Sequence, residues 1–368
     1  MHLKNLFAKV HLWLGLPLGI LFFIITFSGA LYMWVPEISR LVYHRNVDNQ
    51  RTSMASVSGL KATIDREFPQ GDFRTALYRD STTAAEVLLY GQGTHYIAFL
   101  DPFSAEMLHL QDMNKGWLNK LKGLHRNLLL GDVGKKIVHW GTLLFLVMMI
   151  SGMVIWWPAK KSGFKRRLTI KGKAKPKRFN LDLHRVLGFY ASWILIFSVV
   201  TGLFWGFEVV RETLRSVTGE NEITYDMPAS DSTGIRGNQN KWKLLDSLAV
   251  QYRAENPGQM VRISNPHPKD DPVRIAVIDP AMLVYNVNHY YFDRYSGQQL
   301  EGNFENGVHT TATLFHTLHG LVYDIHLGNI WGFPGRMLMF LAALTAASFP
   351  VTGFLIWFNK RKPKQKLQ

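Results

Sequence analysis

The sequence predicts a membrane α-helical protein: four transmembrane helices in two parallel span-module-span repeats, with two small α+β modules on the outer side. Three observations predict it. Four stretches, Val10 to Pro36, Ile137 to Ala159, Val186 to Phe207 and Met337 to Asn359, carry no charged residue. Each exceeds the roughly 20 residues that cross a hydrocarbon core of about 30 Å. The excess charge of this 368-residue, +15 chain sits in three short segments that four crossings bring to one side. Pairs of motifs recur at two constant offsets along the chain.

Residues 1–36 form the first span, entered behind Lys4 and Lys9. Its apolar run is long and "TFSGALYMWVPE" offers no small-residue cleavage site, so a retained helix is expected. Residues 37–136 form the first outer module, ending in a helix at the membrane rim. Within it Val57 to Phe68 has helical periodicity, and "EVLLYGQGTHYIAFLDPFSAEMLHL" alternates as hairpins with polar turns. Residues 137–157 form the second span and 158–183 a basic loop, whose Pro158 to Asn180 segment holds ten Lys or Arg and no acid. The third span is 184–207. Residues 208–336 form the second outer module and rim segment, with a helical pattern over Lys241 to Ala254 and strands in "VRIAVIDP" and "YNVNHYYFDRYSGQQL". The fourth span is 337–358, and the tail 359–368 adds five cations.

With Lys4 and Lys9 those cations number seventeen, leaving 25 basic against 27 acidic residues elsewhere. The positive-inside rule makes their side cytoplasmic. Both termini are then cytoplasmic and both large loops lie outside, in the periplasm of a Gram-negative cell. Juxtamembrane Lys and Arg address the lipid bilayer and call for no nucleic acid. The absence of cysteine excludes disulfides, thiolate metal sites and CxxCH haem attachment.

"VHLWLG" opens span one and "LHRVLG" span three, so that His11 matches His184, Gly15 matches Gly188 and Gly29 matches Gly202 at an offset of 173. Spans two and four match at 201: His125 with His326, Gly131 with Gly332, Gly134 with Gly335, Lys135 with Arg336, and "SGMVIWW" with "TGFLIWF". This parallel duplication implies a twofold axis along the membrane normal. A single histidine at a helix end ordinarily makes an interfacial hydrogen bond. Four that obey an internal twofold become two pairs of facing imidazoles, one at each rim. Haem iron takes two axial ligands on opposite faces of a flat ring, which facing helices of a bundle supply.

Three further histidines compete for the outer site: His139, about one turn into span two, and His316 and His319, three apart in "LFHTLHG". A zinc site from His316, His319 and His326 lacks a completing ligand at a recognisable spacing. Arg126, Arg185 and Arg336 could pair with haem propionates or with lipid phosphates. In "IHLGNIWGFPGR" the glycines are expected to turn the chain into span four, Pro334 favouring a break before Gly335.

These motifs resemble the PepSY-associated transmembrane family, iron-regulated inner-membrane proteins that include the PiuB-like proteins and FoxB-type ferrisiderophore reductases. "VHLWLG" and "LHRVLG" are similar to the family's helix openings, "IHLGNIWGFPGR" to its LHxGxxxGxxGR signature, and "VTGFLIW" to its TGxxxW ending. The outer modules resemble PepSY domains. The resemblance implies an inner-membrane protein with two b haems that carries electrons to a ferric siderophore in the periplasm and releases Fe(II) for iron uptake. It implies His11 and His184 as ligands of the inner haem and His125 and His326 as ligands of the outer, with His139 a substitute. The first half departs from the signature, having Arg126 and Asn127 where the second has Leu327 and Gly328.

No GxGxxG loop follows a strand, so electrons are expected from a cytoplasmic reductase or from membrane quinol. Tyr290, Tyr291 and Trp242 are candidate siderophore contacts, their other role being ordinary core. The alternative function is a haem-binding or PepSY-type membrane sensor without reductase activity. A transporter fits less well, because no span carries a carboxylate at its middle.

Overall fold

A computed structural model describes residues 2–43, 47, 53–218, 227–232, 240–280, 287–302, 304–305, 308–309 and 314–361. The chain forms two compact units, one of Met1–Trp34, Lys120–Leu214 and Val322–Gln368, the other of Val35–Asn119 and Arg215–Leu321.

Four long helices dominate the first unit: His2–Tyr32, Gly131–Trp156, Pro176–Gly206 and Gly332–Arg361. All four contain segments long and apolar enough to cross a membrane. They run past the uncharged stretches, taking in Lys4 and Lys9 near the start of the first and Lys177 and Arg178 in the first turn of the third, long cationic side chains that can reach a headgroup layer. Pro176 opens the third helix at a position where its missing N–H leaves no bond unmade. The first and third helices each pack against the second and fourth, so the first and third face each other across the bundle. Met33, Leu195, Met339, Ala342 and Ala346 fill the space between. Trp13 and Ile20 stay exposed on the outside, as expected where hydrocarbon is the solvent.

The entry into the fourth helix differs from expectation in one respect. Gly328 and Gly332 take positive φ of 78° and 62° around a short 3-10 turn, Asn329–Trp331, and turn the chain. Pro334 does not break the chain before Gly335: it sits in the first helical turn, where proline is tolerated.

In the second unit one eight-stranded antiparallel sheet runs in the order β4-β3-β2-β1-β5-β6-β7-β8. The strands are β1 Asp72–Tyr78, β2 Ala85–Gly91, β3 Thr94–Leu100, β4 Met107–Asp112, β5 Met260–Ser264, β6 Val273–Ile278, β7 Val287–Phe292 and β8 Gln299–Leu300. The two modules share this sheet, because β1 pairs with β5 in the register Thr75↔Ser264, Ala76↔Ile263, Leu77↔Arg262 and Tyr78↔Val261. Pairing them covers two edges that would otherwise present open backbone groups. The helices Val57–Glu67 and Lys241–Glu255 lie on one face, burying Leu60, Ile64, Leu245 and Leu248 against Val87, Val261, Ile263 and Ile275. Ser56 caps the first of them, its Oγ accepting from the Gly59 N–H at 3.0 Å. The Ser58 N–H and Oγ donate to Asp246 at 2.9 and 2.6 Å, tying helix to helix.

The three aromatics named as candidate siderophore contacts pack as follows. Trp242 meets the Phe73 ring edge-on at 5.6 Å, Tyr290 lies 4.7 Å from the Tyr252 ring, and Tyr291 is 2% exposed. Trp242 and Tyr290 are half-buried against the core between helices and sheet, and Tyr291 is buried on the sheet's opposite face.

Candidate functional site: two histidine pairs in the helical bundle

His11 on the first helix and His184 on the third meet across the bundle, ring centroids 6.3 Å apart and planes at 88°. His125, on the helix Trp117–Asn127, and His326, near the end of the helix Leu314–Leu327, form a second pair at 6.0 Å and 59°. The structure thus brings together the partners that the two offsets predicted.

The environment of each ring fixes its tautomer. His125 Nδ1 lies 2.9 Å from the Ile25 carbonyl oxygen, which only accepts, so this nitrogen carries the proton. His11 Nδ1 lies 3.2 Å from the Met148 carbonyl and 3.0 Å from Ser151 Oγ, whose own hydrogen goes to Met148 O. His184 Nδ1 is 2.8 Å from Thr352 Oγ1, which donates back to its own helix at Phe349 O. His326 Nδ1 is 2.8 Å from Thr201 Oγ1, which donates to Phe197 O, and the Ser198 hydroxyl lies beside the same ring, 3.3 Å from Nδ1 and 3.5 Å from Nε2. A hydroxyl whose hydrogen is committed to its helix accepts from the imidazole. All four Nδ1 atoms are therefore donors, and all four Nε2 atoms keep a lone pair, the tautomer a metal-ligating histidine adopts.

Glycines let the rings lie against neighbouring helices. A Cβ on Gly29 would stand 2.7 Å from His125 Cε1 and Nδ1, and one on Gly152 would stand 3.1 Å from His11 Cε1. Gly353 and Gly202 hold the corresponding places beside His184 and His326. Metal–imidazole bonds are about 2 Å, so two rings sharing one metal have centroids about 6 Å apart. With centroids 6.3 and 6.0 Å apart, each pair of rings would be able to hold one metal between them. Along the first helix His11 is separated from Ile25 and Gly29, where His125 packs, by about 21 to 27 Å at 1.5 Å per residue.

The other predicted residues lie elsewhere. His139 rests half-buried against Gly206 and the Phe207 ring, centroids 6.3 Å apart, one helical turn along from Gly202, beside which His326 lies. His319 belongs to the second unit and lies beside Phe315 at 5.8 Å; the His316 side chain is outside the described residues. Among the described residues no group of three or more His, Asp or Glu could hold a metal ion. Arg336 is buried, donates to the Met33 carbonyl and lies 4.7 Å over the Trp34 ring. Arg185 NH2 donates to Asp182 Oδ1 at 2.8 Å, and Arg126 is exposed.

Sequence reading missed the groups that orient the rings. Ser151 and Thr352 stand 201 apart, as the histidines of the outer pair do, and Ile25 and Ser198 stand 173 apart, as His11 and His184 do. It also missed Asp182, fully buried two residues before His184 and held by Arg178 Nε at 3.0 Å as well as Arg185.

A family model described as the PepSY-associated TM region matches residues 8–360. A comparison with curated proteins gave no match.

Proposed function

The chain belongs to the PepSY-associated transmembrane family, and on that premise we propose that it is a di-haem b-type electron-transfer protein of the bacterial inner membrane that reduces ferric siderophore in the periplasm. The observation that carries the reading is the set of four paired imidazoles, each with Nδ1–H committed to an oxygen. His11 and His184 would hold one haem and His125 and His326 the other. When bound, bis-histidine haem iron accepts and passes single electrons without changing ligands, and two in series span an apolar slab that one cannot bridge.

The chain's own residues do the positioning. Ser151, Thr352, Thr201 and the Ile25 carbonyl hold each ring against rotation and make Nε2 the more basic nitrogen. Gly29, Gly152, Gly202 and Gly353 keep the space beside the rings free of side chains. The same reading takes the chain as two span-module-span repeats, supported by the constant offsets and by a strand order that reads alike from both ends. Both termini and the basic loop are assigned to the cytoplasm and the eight-stranded sheet to the periplasm, following the charge asymmetry. The electron donor is a separate cytoplasmic reductase or membrane quinol.

The test is to reduce the purified, haem-loaded protein anaerobically and add a ferric siderophore, with an Fe(II)-selective chromogenic chelator present. Reoxidation of the protein with stoichiometric Fe(II) capture is expected. A reduced protein indifferent to ferric siderophores would instead support a haem-binding or PepSY-type sensor.

A further inference from the structure

The eight-stranded sheet has a second face, opposite its two helices, and cations gather on one part of it. In the ladder Ser264 pairs with Arg274 and Arg262 with Ala276, while Arg274 pairs with Tyr291 and Ala276 with His289. Directly paired residues share a face, as do residues two apart on a strand. Arg262, Arg274 and His289 therefore project from the same side, around an apolar floor of Met260, Ala276, Ile278, Leu77 and Val287. Arg79 flanks them, its NH1 at 2.7 Å from Met260 Sδ.

Arg79 Nε pairs with the Glu86 carboxylate at 2.7 Å. Among the described residues neither Arg262 nor Arg274 has an acidic partner, and the Arg262 Nε is buried without a hydrogen-bond acceptor. Burial, and then the neighbouring Arg274 and Arg79, lower the Arg262 pKa. Guanidinium groups so arranged repel one another and present forked donors that match the two oxygens of a carboxylate or phosphate.

We propose that Arg262 and Arg274 form a binding site for a soluble oxyanion, a carboxylate or phosphate group on a small molecule of the outer compartment. An anion between the two guanidiniums relieves their repulsion. This site lies within the second unit and does not depend on what the histidine pairs hold.

The experiment uses the full-length protein in detergent at constant ionic strength, titrated calorimetrically with citrate, inorganic phosphate and chloride. Citrate or phosphate is expected to bind at least tenfold tighter than chloride, the tighter of the two identifying the group. The double variant Arg262→Gln/Arg274→Gln is expected to lose that preference. Protection of the wild-type protein from phenylglyoxal, read by mass spectrometry, needs no variant to fold. The bound anion should slow modification of Arg262 and Arg274 but not of exposed Arg66. Binding no tighter than chloride, unchanged binding by a folded double variant, or equal modification with and without anion would each overturn the site. So would an effect seen only in phosphatidylglycerol nanodiscs and with neither soluble anion, which would mean a lipid surface.

Discussion

His125 shows how closely a residue's role depends on its neighbours. Its Nδ1 reaches the Ile25 carbonyl only because position 29, one turn along, has no side chain; a Cβ there would stand 2.7 Å from the ring. Gly29→Ala is therefore expected to displace His125 and remove the outer haem alone, halving the haem content measured per chain. His184→Ala and His326→Ala should each lose one haem and keep the other, and two haems retained in both would contradict the pairing. Thr352→Ala leaves His11 and His184 in place but strips the His184 Nδ1–H of its acceptor, so haem affinity at that pair is expected to fall about 10- to 100-fold. His289 makes a different prediction. Burial and then the nearby Arg274 and Arg262 push its pKa down to about 4. The unfolded chain binds a proton near 6.5 that the folded chain refuses until about 4, so His289's contribution is complete above about 6.5 and is lost as pH falls from there toward 4. Urea unfolding across that window should show the slope, and His289→Gln should reduce it.

Among the elements, the helices on the eight-stranded sheet were the most legible: Val57–Glu67 and Lys241–Glu255 follow the predicted ranges to within a residue at each end. Apolar spacing of one helical face survives in the sequence because that face is buried against the sheet. Ser56→Ala should cost about 1 kcal/mol through the lost cap, and Leu245→Ala about 2–5 kcal/mol through the cavity it leaves; thermal unfolding measures both. Strands β1 and β5, which join the modules, were not legible. "DFRTALY" and "MVRIS" are short, carry Arg74 and Arg262, and meet only because residues nearly two hundred apart pair edge to edge. No local pattern encodes which edge a strand will find. The amphipathic helices Val35–Tyr43 and Glu208–Thr218, which follow the first and third spans, were missed because each is brief and directly continues an apolar run.

For the whole molecule, the two recurring offsets made the histidine pairs readable. Two offsets tied His11 to His184 and His125 to His326 before any geometry was known, and both pairs meet. Ser151, Thr201 and Thr352 were not readable, because hydroxyls on membrane helices commonly bond back to their own carbonyls and only the fold reveals which also faces a ring. The roles of Tyr290, Tyr291 and Trp242 stayed open for a related reason: an aromatic residue on a strand or helix looks the same in sequence whether it faces a ligand or the core. The central claim is that the paired imidazoles hold two haems. Dithionite-reduced minus oxidised spectra of the purified, haem-supplied protein, with pyridine haemochrome quantification, test it most directly. Sharp b-type bands and about two haems per chain are predicted, and a featureless spectrum from folded protein would contradict the account.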